Sequence, residues 1–215
     1  MNSKELEQKM HETKEFEMEK AEEFFRNKEY DALVMVGGNF NRFGYTSTDI
    51  LKMFYERLPN EKKYQAVLDV YIGARDGKAL AKYIKDIKKY RPFSYADEIK
   101  SLADEKGDIT IYRGCNETID RVDKALSWTT SENVATWFAL RRTDWQNCFV
   151  YCGKINIKSI IAFTNGRSEH EVLQYRNVRK IRLVRPVHFT NIAEHDDFLG
   201  KLKKSFDLPQ SSLPC

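Results

Sequence analysis

Glu169 and Glu171 stand one residue apart in the octet Gly166-Arg167-Ser168-Glu169-His170-Glu171-Val172-Leu173, a polar turn that runs into an apolar stretch. In extended backbone, residues two apart point to the same side. With extended geometry from Glu169 onward, the two carboxylates share one face and can serve one site. Like charges held that close are costly, so such a pair is either solvated or put to use. Taken alone, the octet reads as a solvated charged turn.

Two upstream features bear on that choice. Asp108-Ile109-Thr110-Ile111-Tyr112-Arg113 alternates at period two, which predicts a strand with Ile109, Ile111 and Arg113 on one face. An arginine that continues an apolar face is unusual, since a buried arginine needs an anionic partner. Ala125-Leu126-Ser127-Trp128-Thr129-Thr130 predicts a second short strand, with hydroxyls flanking a tryptophan that belongs in the core.

The elements that must position these groups fall into two halves. Residues 1–106 follow helical spacing, with Ser47 or Thr48 expected to cap a helix carrying Ile50, Leu51, Phe54 and Leu58. Further stripes run through Tyr64, Val67, Leu68, Tyr71 and Ile72, and through Leu80, Tyr83, Ile84 and Ile87. Beyond Gly107 the period changes to that of strands, with one clear helix after a Ser131 cap. Strands are expected at 149–155, 160–163 and 171–173, and across the basic run Arg176, Arg179, Lys180, Arg182 and Arg185. The fold class is therefore α+β, with a helical lobe over 1–106, a core over 107–205 and a disordered tail over 206–215.

The chain has 215 residues, 41% hydrophobic and 32% charged, the balance of a globular protein. A net charge of +4 suits an anionic ligand but does not by itself argue for nucleic acid. No apolar run approaches the roughly 20 residues of a membrane helix. The charged start, from Met1 to Glu7, lacks the apolar segment of a secretory signal, so a cytoplasmic location is expected. Cys115, Cys148, Cys152 and Cys215 lack histidines at zinc-binding spacing, so reduced thiols and no metal site are expected. Cys148 and Cys152 fall on one face of a strand.

Taken in order, Tyr112-Arg113-Gly114, Ser127-Trp128-Thr129 and Glu169-His170-Glu171 resemble the mono-ADP-ribosyltransferases of the arginine, serine, glutamate type, as in clostridial and related bacterial toxins. The resemblance spans roughly 108–189. It departs from the family at Trp128, where the serine motif often carries threonine. It implies a mixed β-sandwich transferase core and NAD as substrate. It further implies that Glu171 holds the ribose 2′-hydroxyl, with Ser127 fixing its rotamer, and that Glu169 selects the acceptor. Arg113 then pairs with an NAD phosphate, Gly114 admits the nicotinamide amide, and Thr129 supports the strand. Arg141 or Arg142, in the polar loop that also holds Trp145, lies where the family binds phosphate and nicotinamide. A glutamate at 169 resembles the arginine-modifying subgroup, which makes protein arginine the expected acceptor.

Two other classes stay open. The basic run keeps an RNA or DNA acceptor in view. A non-enzymatic interaction protein with a degenerate transferase fold is the second, against which the presence of Arg113, Ser127, Glu169 and Glu171 argues. A toxin role with an antitoxin or inhibitor as partner, a phage-encoded role, or delivery into a target cell are all compatible with the chain. His170, in a strand, is expected to point away from the two glutamates and to have no catalytic role, while His188 and His195 are expected to be ordinary surface or edge residues.

Overall fold

Several helices begin where a side chain answers the free amides of the first turn. In the computed structural model, which describes residues 2–38, 43–74, 77–116, 119–141, 148–166, 168–187, 189 and 191–204, α1 (Ser3–Arg26) starts with Asn2 and Glu5 in a reciprocal capping box. Helix α2 (Tyr30–Met35) follows. Helix α3 (Ser47–Phe54) is capped by Thr46 with Asp49, one residue before the expected Ser47. Thr46 has the extended backbone a cap requires, whereas Ser47 is already helical and its side chain is buried. Helix α4 (Asn60–Gly73) starts directly after Pro59. Helix α5 (Ala81–Asp86) lies between short 3-10 turns at Gly77–Leu80 and Ile87–Tyr90.

The chain divides into two compact units, Met1–Pro92 and Phe93–Cys215. In the first unit Leu33, Ile50, Leu51, Val67, Leu80, Ile84 and Ile87 are fully buried. The division falls earlier than the expected 106 for a physical reason. Ala96 and Ile99, on either side of the start of the 3-10 segment Asp97–Leu102, belong to the core that lines one face of the sheet.

The second unit is built on six strands: β1 (Asp108–Cys115), β2 (Ser127–Thr129), β3 (Cys148–Asn156), β4 (Ala162–Thr164), β5 (Glu171–Leu173) and β6 (Arg179–Val187). They form one sheet in the order β4-β5-β2-β1-β3-β6, with antiparallel pairing throughout. The α+β class is borne out. Where a sandwich was expected, the described strands join in a single sheet.

Helix α6 (Ile119–Val122) is one turn long, α7 (Glu132–Leu140) is capped by Ser131 as expected, and α8 (Ile192–Lys204) closes the described chain. One sheet face, with Ile109, Ile111, Trp128, Tyr151, Ile155 and Val172, packs under Ala96, Ile99 and Ile160. The other carries Tyr112, Val150 and Val184 against α7 and α8. Among the described residues no helix is long and apolar enough to cross a membrane.

The expected disordered tail, 206–215, lies outside the described residues. Helix α8 was not expected from the sequence. His195, read as a surface or edge residue, is only 6% exposed and sits 2.9 Å from the Leu140 carbonyl through Nε2. It answers the last turn of α7, which explains its burial. His188 lies outside the described residues.

Candidate active site

Three short strands, β4, β5 and β2, bring the candidate residues together. Across them Thr164 faces Glu171, and Glu171 faces Thr129, which in turn faces Tyr112 on β1. Directly opposed residues in antiparallel strands share a face, so Glu171 stands in a row with two threonines and a tyrosine. Ser127 lies on the same face, opposite Leu173, and its hydroxyl donates diagonally to Glu171 Oε1. That bond fixes the carboxylate rotamer, the task expected of this serine.

Arg113 springs from the other face, between buried Ile111 and Cys115, as the alternation predicts. Its Nη1 donates to the Ser127 carbonyl at 2.7 Å. Ser127 therefore receives the arginine on its backbone and holds the glutamate through its side chain. Trp128, between the two hydroxyl residues, is 2% exposed and anchors the apolar face, its Nε1 donating to the Ala125 carbonyl.

The two glutamates do not share a strand. β5 begins at Glu171, and His170 has φ +47°, in the left-handed region. The assumption of extended geometry from Glu169 is thus corrected. Residues 165, 166 and 168–170 lie between β4 and β5, and the turn at His170 replaces simple alternation there. His170 is exposed and lies in that turn rather than in the strand. Glu169 and Glu171 are both buried, at 4% and 6% exposure.

Thr129 closes the arrangement. Its hydroxyl donates to the Glu169 carbonyl at 2.7 Å and accepts from the Ser131 amide at 3.1 Å. Strand β2, the glutamate turn and the α7 cap thereby meet at one oxygen. On the same row, burial holds the Tyr112 phenol above its ordinary pKa, with the nearby Glu132 carboxylate adding to the effect.

Gly114 meets a packing requirement of its own. A Cβ added there would lie 1.7 Å from the Ala135 carbonyl oxygen and 2.7 Å from the Ala139 amide nitrogen. The glycine is needed because α7 crosses β1 backbone against backbone. Arg141 is the C-cap of α7, with its guanidinium 4.1 Å from the Phe138 ring centroid and 4.7 Å from that of Trp137. Arg142 and Trp145 lie outside the described residues.

Cys115, Cys148 and Cys152 are buried free thiols, the state expected of them. Cys215 lies outside the described residues. Among the described residues no cluster of His, Cys, Asp and Glu side chains has the makings of a metal site.

Two residues that the sequence did not single out support the site. Gln174, fully buried, holds the far end of β5 by donating to the Ala125 carbonyl and accepting from the Asn177 amide at 2.9 Å. Asn165 ties the hairpin loop, accepting from the His170 amide at 3.1 Å. An asparagine four residues before a glutamate is a weak signal. Only the hairpin register gives it meaning.

Compared with protein-family models, curated proteins and solved structures, the chain finds no match.

Proposed function

We propose that the chain is an NAD-dependent mono-ADP-ribosyltransferase that modifies protein arginine. The observation that carries this is the double use of Ser127, which accepts from Arg113 and orients Glu171. It ties the arginine, serine and glutamate of the resemblance into one connected unit rather than three scattered residues.

The chemistry asks for such a unit. Cleavage of the nicotinamide–ribose bond sends its electron pair to the nicotinamide nitrogen and leaves positive charge on the ribose, as in glycoside cleavage. A carboxylate with a fixed rotamer at the 2′-hydroxyl stabilises that charge, and this is the role of Glu171. Arg113 pairs with a phosphate, while Arg141 or Arg142 contributes a second cation. A guanidinium is a poor nucleophile while protonated. Glu169 accepts its proton as the new bond to ribose C1 forms. The near-complete burial of Glu169 favours an acceptor that reaches in on a long, slim side chain, as arginine does.

A second reading keeps a nucleic-acid acceptor, motivated by exposed Arg176, Lys180 and Arg182 along and beside the outer strand β6.

Incubation of the full chain with labelled NAD and whole-cell lysate, followed by separation of protein from nucleic acid, tests both readings. Label in protein, released by an arginine-linkage-specific hydrolase, supports the first, and label in nucleic acid the second. Intact NAD with no label in either fraction leaves a non-enzymatic interaction protein. Within the first reading, Glu169→Gln loses transfer to arginine and keeps NAD hydrolysis. Equal loss of both gives Glu169 a different job.

A further inference from the structure

The Glu169–His170 peptide unit is held from both ends. Its carbonyl accepts the Thr129 hydroxyl at 2.7 Å, and its N–H donates to Asn165 Oδ1 at 3.1 Å. The neighbouring groups are tied as well. The Thr130 amide donates to the His170 carbonyl at 3.1 Å, and the Ser168 amide donates to the Asn165 carbonyl at 2.9 Å. A peptide plane fixed at both its oxygen and its nitrogen cannot flip, and this plane sets ψ of Glu169 together with φ of His170.

The conformation so held is not one these residues adopt freely. His170 at φ +47° and Ser168 at φ +55° are both left-handed without being glycine. Such backbone persists only where its surroundings over-determine it. Flipping the plane would return His170 to the ordinary region and swing Glu169 relative to Glu171, whose own carboxylate is held independently by Ser127.

We infer that Asn165 is a positioning residue for the acceptor step: by fixing the Glu169–His170 peptide it aims the acceptor-side carboxylate without touching the group that cleaves NAD. This rests on the transferase reading above. The β4–β5 hairpin then carries two separable functions. Glu171 belongs to the strand and to Ser127, while Glu169 belongs to a clamped turn.

The test compares Asn165→Leu, which cannot accept a hydrogen bond, with Asn165→Asp, which can. Three quantities are measured on the full chain. They are transfer to arginine methyl ester, nicotinamide release without acceptor together with KM for NAD, and hydrogen exchange at the His170 amide. Loss of one positioning hydrogen bond lowers kcat for transfer by about tenfold in Asn165→Leu. Acceptor-free nicotinamide release and KM for NAD stay within about twofold, since neither needs Glu169 aimed. Asn165→Asp recovers transfer, and exchange at His170 speeds up only in the leucine variant.

Wild-type transfer in Asn165→Leu overturns the inference, as does parallel loss of transfer and hydrolysis, which marks a general structural role. Unchanged His170 exchange overturns the clamp itself. A wild-type chain that releases no nicotinamide removes the transferase reading, and the exchange measurement then judges the clamp on its own.

Discussion

Buried charge is handled differently in the two units. In the helical unit, Lys63 is 6% exposed and its ammonium lies 5.0 Å from the Tyr55 ring centroid and 5.4 Å from that of Tyr90. The Tyr55 hydroxyl donates to Asp86 at 2.6 Å. Glu17, 8% exposed, accepts the Tyr45 amide at 2.6 Å. Each buried charge there meets a donor or an aromatic face brought from a distant helix or loop. In the sheet unit, two buried carboxylates, Glu169 and Glu171, stand on one hairpin, and that of Glu171 takes the Ser127 hydroxyl. Folding alone favours the first pattern. Burying two carboxylates on one hairpin is costly for folding, and under the proposed transferase reading they answer a developing positive charge.

The contrast breaks most visibly at Glu171. Glu171→Gln is expected to lower nicotinamide release by roughly 10²–10³-fold, the size of effect when a preorganised group is removed. The thermal midpoint should hold or rise, because a buried carboxylate gives way to a neutral amide of the same shape that can still accept the Ser127 hydroxyl. A fall in midpoint with unchanged turnover would make Glu171 a structural group like Glu17. Glu17→Ala is expected to cost about 1–3 kcal/mol in urea unfolding, since it leaves the Tyr45 amide without its acceptor. Activity per folded molecule should stay as it was.

Tyr55→Phe removes one hydrogen bond and is expected to cost about 1 kcal/mol by the same measurement. The smallest effect concerns pH. Lys89, and then the Tyr55 hydroxyl, hold the Asp86 carboxyl below its ordinary pKa. A depressed carboxylate contributes stability that is present above its unfolded value of about 4 and lost as pH falls through the folded value. Melting of the helical unit should therefore weaken below about pH 4, and Tyr55→Phe should flatten that dependence. An unchanged acid profile in the variant would mean that the phenol contributes little to holding Asp86 ionised.

Period was the legible part of the fold. The alternation from Asp108 to Arg113 became β1, and Ser131 became the cap of α7, because both are set by residues near in sequence. Strand pairing was not legible at the same level. A single sheet rather than a sandwich depends on register between strands far apart in the chain, as in β3 with β6. Helix α8 was missed although its signals were present: Asn191 accepts from the Glu194 amide at 3.0 Å as a cap, and Phe198, Leu199 and Leu202 form its apolar stripe.

In the candidate site, the identities of Arg113, Ser127 and Glu171 were readable from order and type. The turn at His170 was not, since nothing about a histidine announces positive φ. The reason for Gly114 was hidden too, because a sequence does not say what lies beyond a missing side chain.

Gly114 also has a mechanical consequence. With α7 seated directly on the β1 backbone, any sliding between them drives main chain into main chain rather than deforming a side chain. That half of the sheet behaves as an anvil. Among the described residues, the opposite end of the sheet has no such helix seat in its two short strands, β4 and β5, which are three residues each and are held by side-chain bonds from Ser127 and Thr129 instead.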